Sequence, residues 1–179
     1  MLEEQIKTVK SDEGMFFKLK RKTLVFIDDS IIDNYVLPKI WGSEVSVFKF
    51  TPEIQLLIQL LKSITPYDFN ICLVNYYSTG KNNIGWHSDN EEKGEIECIA
   101  SFSFGTQREF AFRNNGEKEQ LISLKLGSGS LLVMNKGCQE NYEHCLLQDK
   151  KIKESRINIT FRRFKYDTYS NNLQKKMNL

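Results

Sequence analysis

Apolar and polar positions alternate with a period of two along most of the chain after Pro66, and recur at helical spacing over one clear stretch before it. Because successive side chains of a strand point to opposite faces, the segments FNICLVNYY, IGWHS, IECIASFSF, REFAFR, LISLKL, SLLVMN and SRINITFRRF are predicted to be strands. They are separated by Gly- and Asn-rich turns such as STGKNN, RNNGEK and LGSG. Upstream, TLVFID (Thr23 to Asp28) and EVSVFKF (Glu44 to Phe50) read as two further strands. A helix is expected from Thr51, a capping residue followed by Pro52 at the first helical position, with Ile54, Leu57, Ile58 and Leu61 on one face. Short, regularly spaced strands after a supporting helix predict a mainly β fold with a few helices, a two-sheet jelly roll.

Composition narrows the picture without changing it. The 179 residues, 40% of them hydrophobic, suit one globular domain with a sizeable core. No apolar run approaches bilayer length and the opening MLEEQIKTVKSDEG has no apolar signal region, so an intracellular protein of the cytoplasm or nucleus, with no membrane partner, is expected. Cys72, Cys98, Cys138 and Cys145 form no CxxC pair and are expected to be reduced, mostly buried thiols. Charge is uneven. Residues 1–149 carry 16 Lys/Arg against 21 Asp/Glu, whereas residues 150–179 carry 9 against 2. A basic end suits a polyanionic partner.

The chain has two histidines, His87 and His144. His87 stands two residues before Asp89 on a predicted strand, so imidazole and carboxylate project from one face. His144, in ENYEHCLL, can be brought across a jelly roll to that pair. Two imidazoles and one carboxylate leave positions open for co-substrate and dioxygen, which is the facial triad of non-haem Fe(II) oxygenases. The last strand, SRINITFRR, alternates Arg156, Asn158, Thr160 and Arg162 with Ile157, Ile159 and Phe161. Guanidiniums bind carboxylates through two parallel hydrogen bonds, so an Arg pair on one face suits a dicarboxylate. Six residues of regular strand separate them by roughly 20 Å, so they converge only if the strand bends or the side chains reach inward.

The order HSD, then a histidine, then RINITFR resembles the AlkB group of Fe(II)/2-oxoglutarate dioxygenases, closest to its nucleic-acid repair members. The resemblance runs from about Phe69 to Phe164 and includes NYY, SFSFGTQREFAFR and LGSGSLLVMN. It implies a double-stranded β-helix, with His87, Asp89 and His144 as catalytic metal ligands and Arg156 and Arg162 on the two carboxylates of 2-oxoglutarate. Asn75, Tyr77 and Asn158 match positions that contact the co-substrate or the arginine holding it. The implied reaction couples oxidative decarboxylation of 2-oxoglutarate to hydroxylation of an N-methyl group, which leaves as formaldehyde. Glu91 matches a position at the amino edge of the methylated base, and Arg108, in the QREF block, is a second candidate for contact with the base or with a neighbouring acid. Tyr77 and Trp86 could stack a flipped base, although Trp86 alternates away from His87 and reads as core or lid.

These expectations assemble into one AlkB-like domain over residues 1–164, with its catalytic core at about 69–164, and a basic tail over 165–179. A monomer acting on alkylated DNA or RNA, single strands included, is expected, with 1-methyladenine and 3-methylcytosine as examples of its target. WGSEVSVFKF is short for the nucleotide-recognition lid of the repair members, and the basic patch KLKRK (Lys18 to Lys22) reads as a solvated turn. The alternatives are a protein or small-molecule hydroxylase on the same core, and a binding module without catalysis.

Overall fold

The computed structural model describes residues 8–10, 16–18, 21–29, 31, 47–89 and 98–163. Strands β1 (Thr8–Lys10) and β2 (Phe16–Lys18) pair with each other alone. The larger of the two remaining sheets has six strands, built from β3 (Lys22–Ile27), β4 (Val47–Lys49), β5 (Ile71–Tyr77), β7 (Cys98–Gly105), β10 (Leu131–Asn135) and β12 (Arg156–Arg162). Its order is β10-β7-β12-β5-β3-β4. The smaller sheet, in the order β6-β11-β8-β9, comprises β6 (Ile84–His87), β8 (Arg108–Asn114), β9 (Ile122–Leu126) and β11 (Tyr142–Leu146). Chain-adjacent strands β5 and β6 lie in different sheets, as do β7 and β8, which is the alternation of a double-stranded β-helix.

Helix α1 (Pro52–Ile64) begins where the sequence places it, with the Thr51 hydroxyl accepting from the Ile54 N–H at 3.4 Å. Its buried face, Ile54, Ile58 and Leu61, packs with Phe69, Cys72, Cys98 and Phe161 into the main apolar core. Phe161 points outward from β12 to reach this core, so the alternate positions Arg156, Asn158, Thr160 and Arg162 point inward, where all four are buried. The main apolar core therefore lies outside the large sheet, beneath α1, and β12 turns its polar face into the space between the sheets. A second cluster, Ile99, Phe112 and Met134, closes one end of that space.

Several expectations change on contact with the fold. Of EVSVFKF, Val47–Lys49 form β4, running parallel to β3, and residues 44–46 lie outside the described residues. ENYEHCLL divides into a one-turn helix α2 (Cys138–Asn141) and strand β11, a strand that period-two alternation does not mark because the helical turn interrupts it. Trp86 is not buried in the core. It is half-buried, with the Arg113 guanidinium 4.6 Å from its ring centre, and Arg113 in turn pairs with Glu143 at 2.6 Å. Cys72, Cys98 and Cys145 are buried, Cys138 half-buried, and all four are free thiols. No described helix is long and apolar enough to cross a membrane. Residues 165–179 lie outside the described residues.

Candidate metal centre and its cavity

Strand β6 carries His87 and β11 carries His144, and the antiparallel register sets the two directly opposite each other. Their ring centres are 4.4 Å apart. Asp89, just past the end of β6, completes the group, so that one ligand atom from each residue lies within 4.8 Å of the others. His87 Nε2 is 3.8 Å from one Asp89 carboxylate oxygen and His144 Nε2 is 3.7 Å from the other. His87 Nδ1 lies 2.8 Å from the Gly85 carbonyl, and donating to it leaves Nε2 with a lone pair for a metal. His144 is 3% exposed, and burial pushes its pKa down to about 4 against the pull of Asp89, keeping it a neutral donor. Burial alone would push Asp89 up, but Arg162, His144 and His87 together outweigh it and hold the carboxyl ionised. Two imidazoles and one carboxylate, within reach of a single ion, suit a divalent metal of the Fe(II) type.

The same cavity takes its floor from the large sheet. Arg21, Asn75, Tyr77, Arg156, Asn158 and Arg162 line it together with the three ligand residues. Three arginines thus face a cavity in which Asp89 is the one acidic residue among the described lining. Arg162 Nη2 is 3.4 Å from Asp89. Arg156 is 2% exposed, donates to the Ser103 hydroxyl at 2.8 Å, and lies 5.5 Å from the Tyr77 ring centre. It pairs with no described carboxylate, its Nε has no hydrogen-bond partner, and burial pushes its pKa down to about 10. A buried guanidinium in this state fits a carboxylate delivered by a ligand. Burial also pushes the Tyr77 phenol up, against the pull of Arg21 and Arg156, so its O–H remains a donor suited to the same anion. The residues present therefore fit both a metal ion and a dicarboxylate beside it.

Asn158 donates through Nδ2 to the Ser101 hydroxyl at 2.7 Å and the Phe102 carbonyl at 2.9 Å, tying β12 to β7. Asn75 accepts from Arg21 at 2.8 Å and Thr23 at 3.0 Å. Arg108 departs from expectation. It is 1% exposed and gives its guanidinium to the carbonyls of Thr79, Gly80, Asn82 and Leu147, at 2.7 to 3.3 Å. Those bonds clamp the turn between β5 and β6 and commit both terminal nitrogens of the guanidinium to backbone. Glu91 lies outside the described residues. Two features of the site, one lining the cavity and one supporting a ligand from behind, carried no sequence signal as such. Arg21, taken with KLKRK as a solvated turn, lines the cavity, and only its place two residues before Thr23, on the same strand face, hints at this. Gln139 is 4% exposed and accepts the Asp89 N–H at 2.9 Å, with no periodic signal to mark it.

Fold and site together define a double-stranded β-helix protein with a two-histidine, one-carboxylate metal centre. Residues 39–162 match the 2OG-Fe(II) oxygenase superfamily. The human DNA oxidative demethylase ALKBH2 is 33% identical over 158 residues, covering 84% of this chain and 59% of the relative. The human alpha-ketoglutarate-dependent dioxygenase alkB homolog 3 is 32% identical over 120 residues, covering 62% of this chain and 42% of the relative. This chain therefore spans roughly half the length of the curated relatives it matches. In fold, the solved structure of OsALKBH1 superposes with a TM-score of 0.56 at 20% identity, covering 82% of this chain and 79% of that one. The chain belongs to the 2OG-Fe(II) oxygenase superfamily and, within it, to the AlkB family. Fe(II) and 2-oxoglutarate are the cofactor and co-substrate of that family.

Proposed function

We propose that this chain is an Fe(II)/2-oxoglutarate-dependent oxidative demethylase of N-alkylated bases in DNA or RNA. His87, Asp89 and His144 hold the metal. Arg156 and Arg162 take the two carboxylates of 2-oxoglutarate, with Asn75 and Tyr77 donating to them and Asn158 fixing the strand that carries both arginines. When bound, the Fe(II) and 2-oxoglutarate pair supplies, with dioxygen, an oxidation that no side chain performs. The protein's own contribution is to fix both ligands, to keep His144 unprotonated, and to set the arginines and asparagines of the large sheet beside the metal ligands.

One observation carries the reading: a single cavity holds the three ligand residues together with a buried arginine that lacks an anion. The name of the ALKBH2 relative, a DNA oxidative demethylase, supports a nucleic-acid substrate. Formaldehyde release from a panel of oligonucleotides bearing N-methylated bases, with Fe(II) and 2-oxoglutarate supplied, is the test. Release from DNA or RNA is expected. Decarboxylation of 2-oxoglutarate without release from any oligonucleotide would move the substrate to protein or a small molecule, and absence of both would leave a binding module.

A further inference from the structure

We infer that Arg21, with Thr23, is a positioning residue for the co-substrate, fixing the Asn75 amide so that its Nδ2 faces the cavity as a donor to a carboxylate. The inference rests on the 2-oxoglutarate site proposed above. Asn75 is 5% exposed and lies on β5 directly opposite Thr23 of β3 and Asn158 of β12. Its Oδ1 accepts from both Arg21 Nε, at 2.8 Å, and Thr23 Oγ1, at 3.0 Å. Two donors on one oxygen decide which way round the amide sits. Rotated by half a turn it would set an NH2 group against a guanidinium that has no acceptor to offer. With Oδ1 held toward β3, Nδ2 is left to the cavity, and it bonds to no described residue.

Asn158 sits the other way. Its Nδ2 is committed to Ser101 and Phe102, so the end it presents is an acceptor, which a carboxylate does not pair with. Of the two buried asparagines, Asn75 alone offers an anion a donor, and Arg21 and Thr23 are what make it do so. A free amide would bind with the wrong end half of the time and would lose orientation on binding. Arg21 acts through Asn75, so its effect should vanish when Asn75 is gone.

The test is a thermodynamic cycle read by 2-oxoglutarate binding. Arg21→Met and Thr23→Val are made in the natural chain and in Asn75→Ala, and each is titrated anaerobically with 2-oxoglutarate in the Fe(II)-loaded form, following the absorption of the pair. In the natural chain, Arg21→Met should weaken 2-oxoglutarate by about fivefold and Thr23→Val by about threefold, the scale of a hydrogen bond. In Asn75→Ala both effects should shrink below about twofold, because the coupling partner is absent. Affinity for Mn(II) alone should stay within about twofold throughout, since no metal ligand is touched. Equal weakening in both backgrounds would mean that Arg21 meets the co-substrate itself, and no weakening would mean it is a rim residue; either overturns the inference. If Arg21→Met does not fold, Thr23→Val, neutral and similar in shape, carries the same cycle. Failure of the natural chain to bind 2-oxoglutarate would sink the proposed function along with it, whereas normal binding with insensitive variants sinks the positioning role alone.

Discussion

Arg156 is a cation buried without an anion among the described residues, and Asp89 is an anion beside one guanidinium and two imidazoles. The two residues predict separable losses. Arg156→Lys keeps the charge but not the planar fork, so it should weaken 2-oxoglutarate by at least about tenfold, or ~1.4 kcal/mol, with little change in metal affinity. Anaerobic titration with 2-oxoglutarate and a separate Mn(II) titration measure the two, and unchanged co-substrate affinity would make Arg156 a structural residue. Gln139 predicts the reverse. Removing its side-chain carbonyl in Gln139→Leu leaves the Asp89 N–H without the bond that sets its backbone, and Mn(II) affinity should fall by about tenfold, the low end for losing a ligand's supporting bond. Restoration by Gln139→Glu, which keeps an acceptor, would separate positioning from packing. At this scale the H-x-D spacing marked His87 and Asp89 as a pair, although β6 ends at His87 and it is the chain just beyond the strand, not a shared strand face, that brings Asp89 to it. Gln139 was not marked, since its bond joins residues 50 apart in sequence.

Among the elements, β12 was the most legible and also the most informative. Its strict alternation gave both faces, and the structure adds which way each turns: Phe161 outward to α1, the arginines inward. What alternation could not give is that Arg156 and Arg162 line one cavity with the metal ligands, because that depends on how the second sheet faces the first. The turn between β5 and β6 was legible as STGKNN, but the residue that holds it was not. Arg108 looked like a candidate for substrate contact, yet it holds four carbonyls drawn from that turn and from Leu147, contacts visible only once the sheets face each other. Gly80 lies in the same turn, where a Cβ would overlap the Asp149 carbonyl, so the turn packs against residues 149–152 without room for a side chain. Arg108→Met should therefore cost about 2–4 kcal/mol in urea unfolding by stranding buried carbonyls. A residue that only touched substrate would leave the unfolding midpoint unmoved and weaken oligonucleotide binding instead.

Across the whole molecule, the main apolar core outside the large sheet supplies cohesion, and the polar face of β12 between the sheets is kept for ligands. That division makes acid stability a readout of the site. His144 is buried and neutral in the fold, with a pKa of about 4, against an ordinary value of 6.5 once exposed. Between those values the unfolded chain takes up a proton that the folded chain refuses, so falling pH favours unfolding. Asp89, held below its ordinary value, works in the same direction at lower pH, since its protonation also favours the unfolded chain. The metal-free protein should therefore lose about 2 kcal/mol from the His144 contribution between about pH 7.5 and pH 5, by the linkage between proton uptake and stability. His144→Gln cannot take up that proton, and its stability should change less over the same range, whatever its absolute value. Urea midpoints of both proteins at the two pH values, with chelator present, give the comparison. Parallel loss in the two would mean that His144 is already protonated or solvated in the folded chain, and the neutral donor that the metal site requires would not be there.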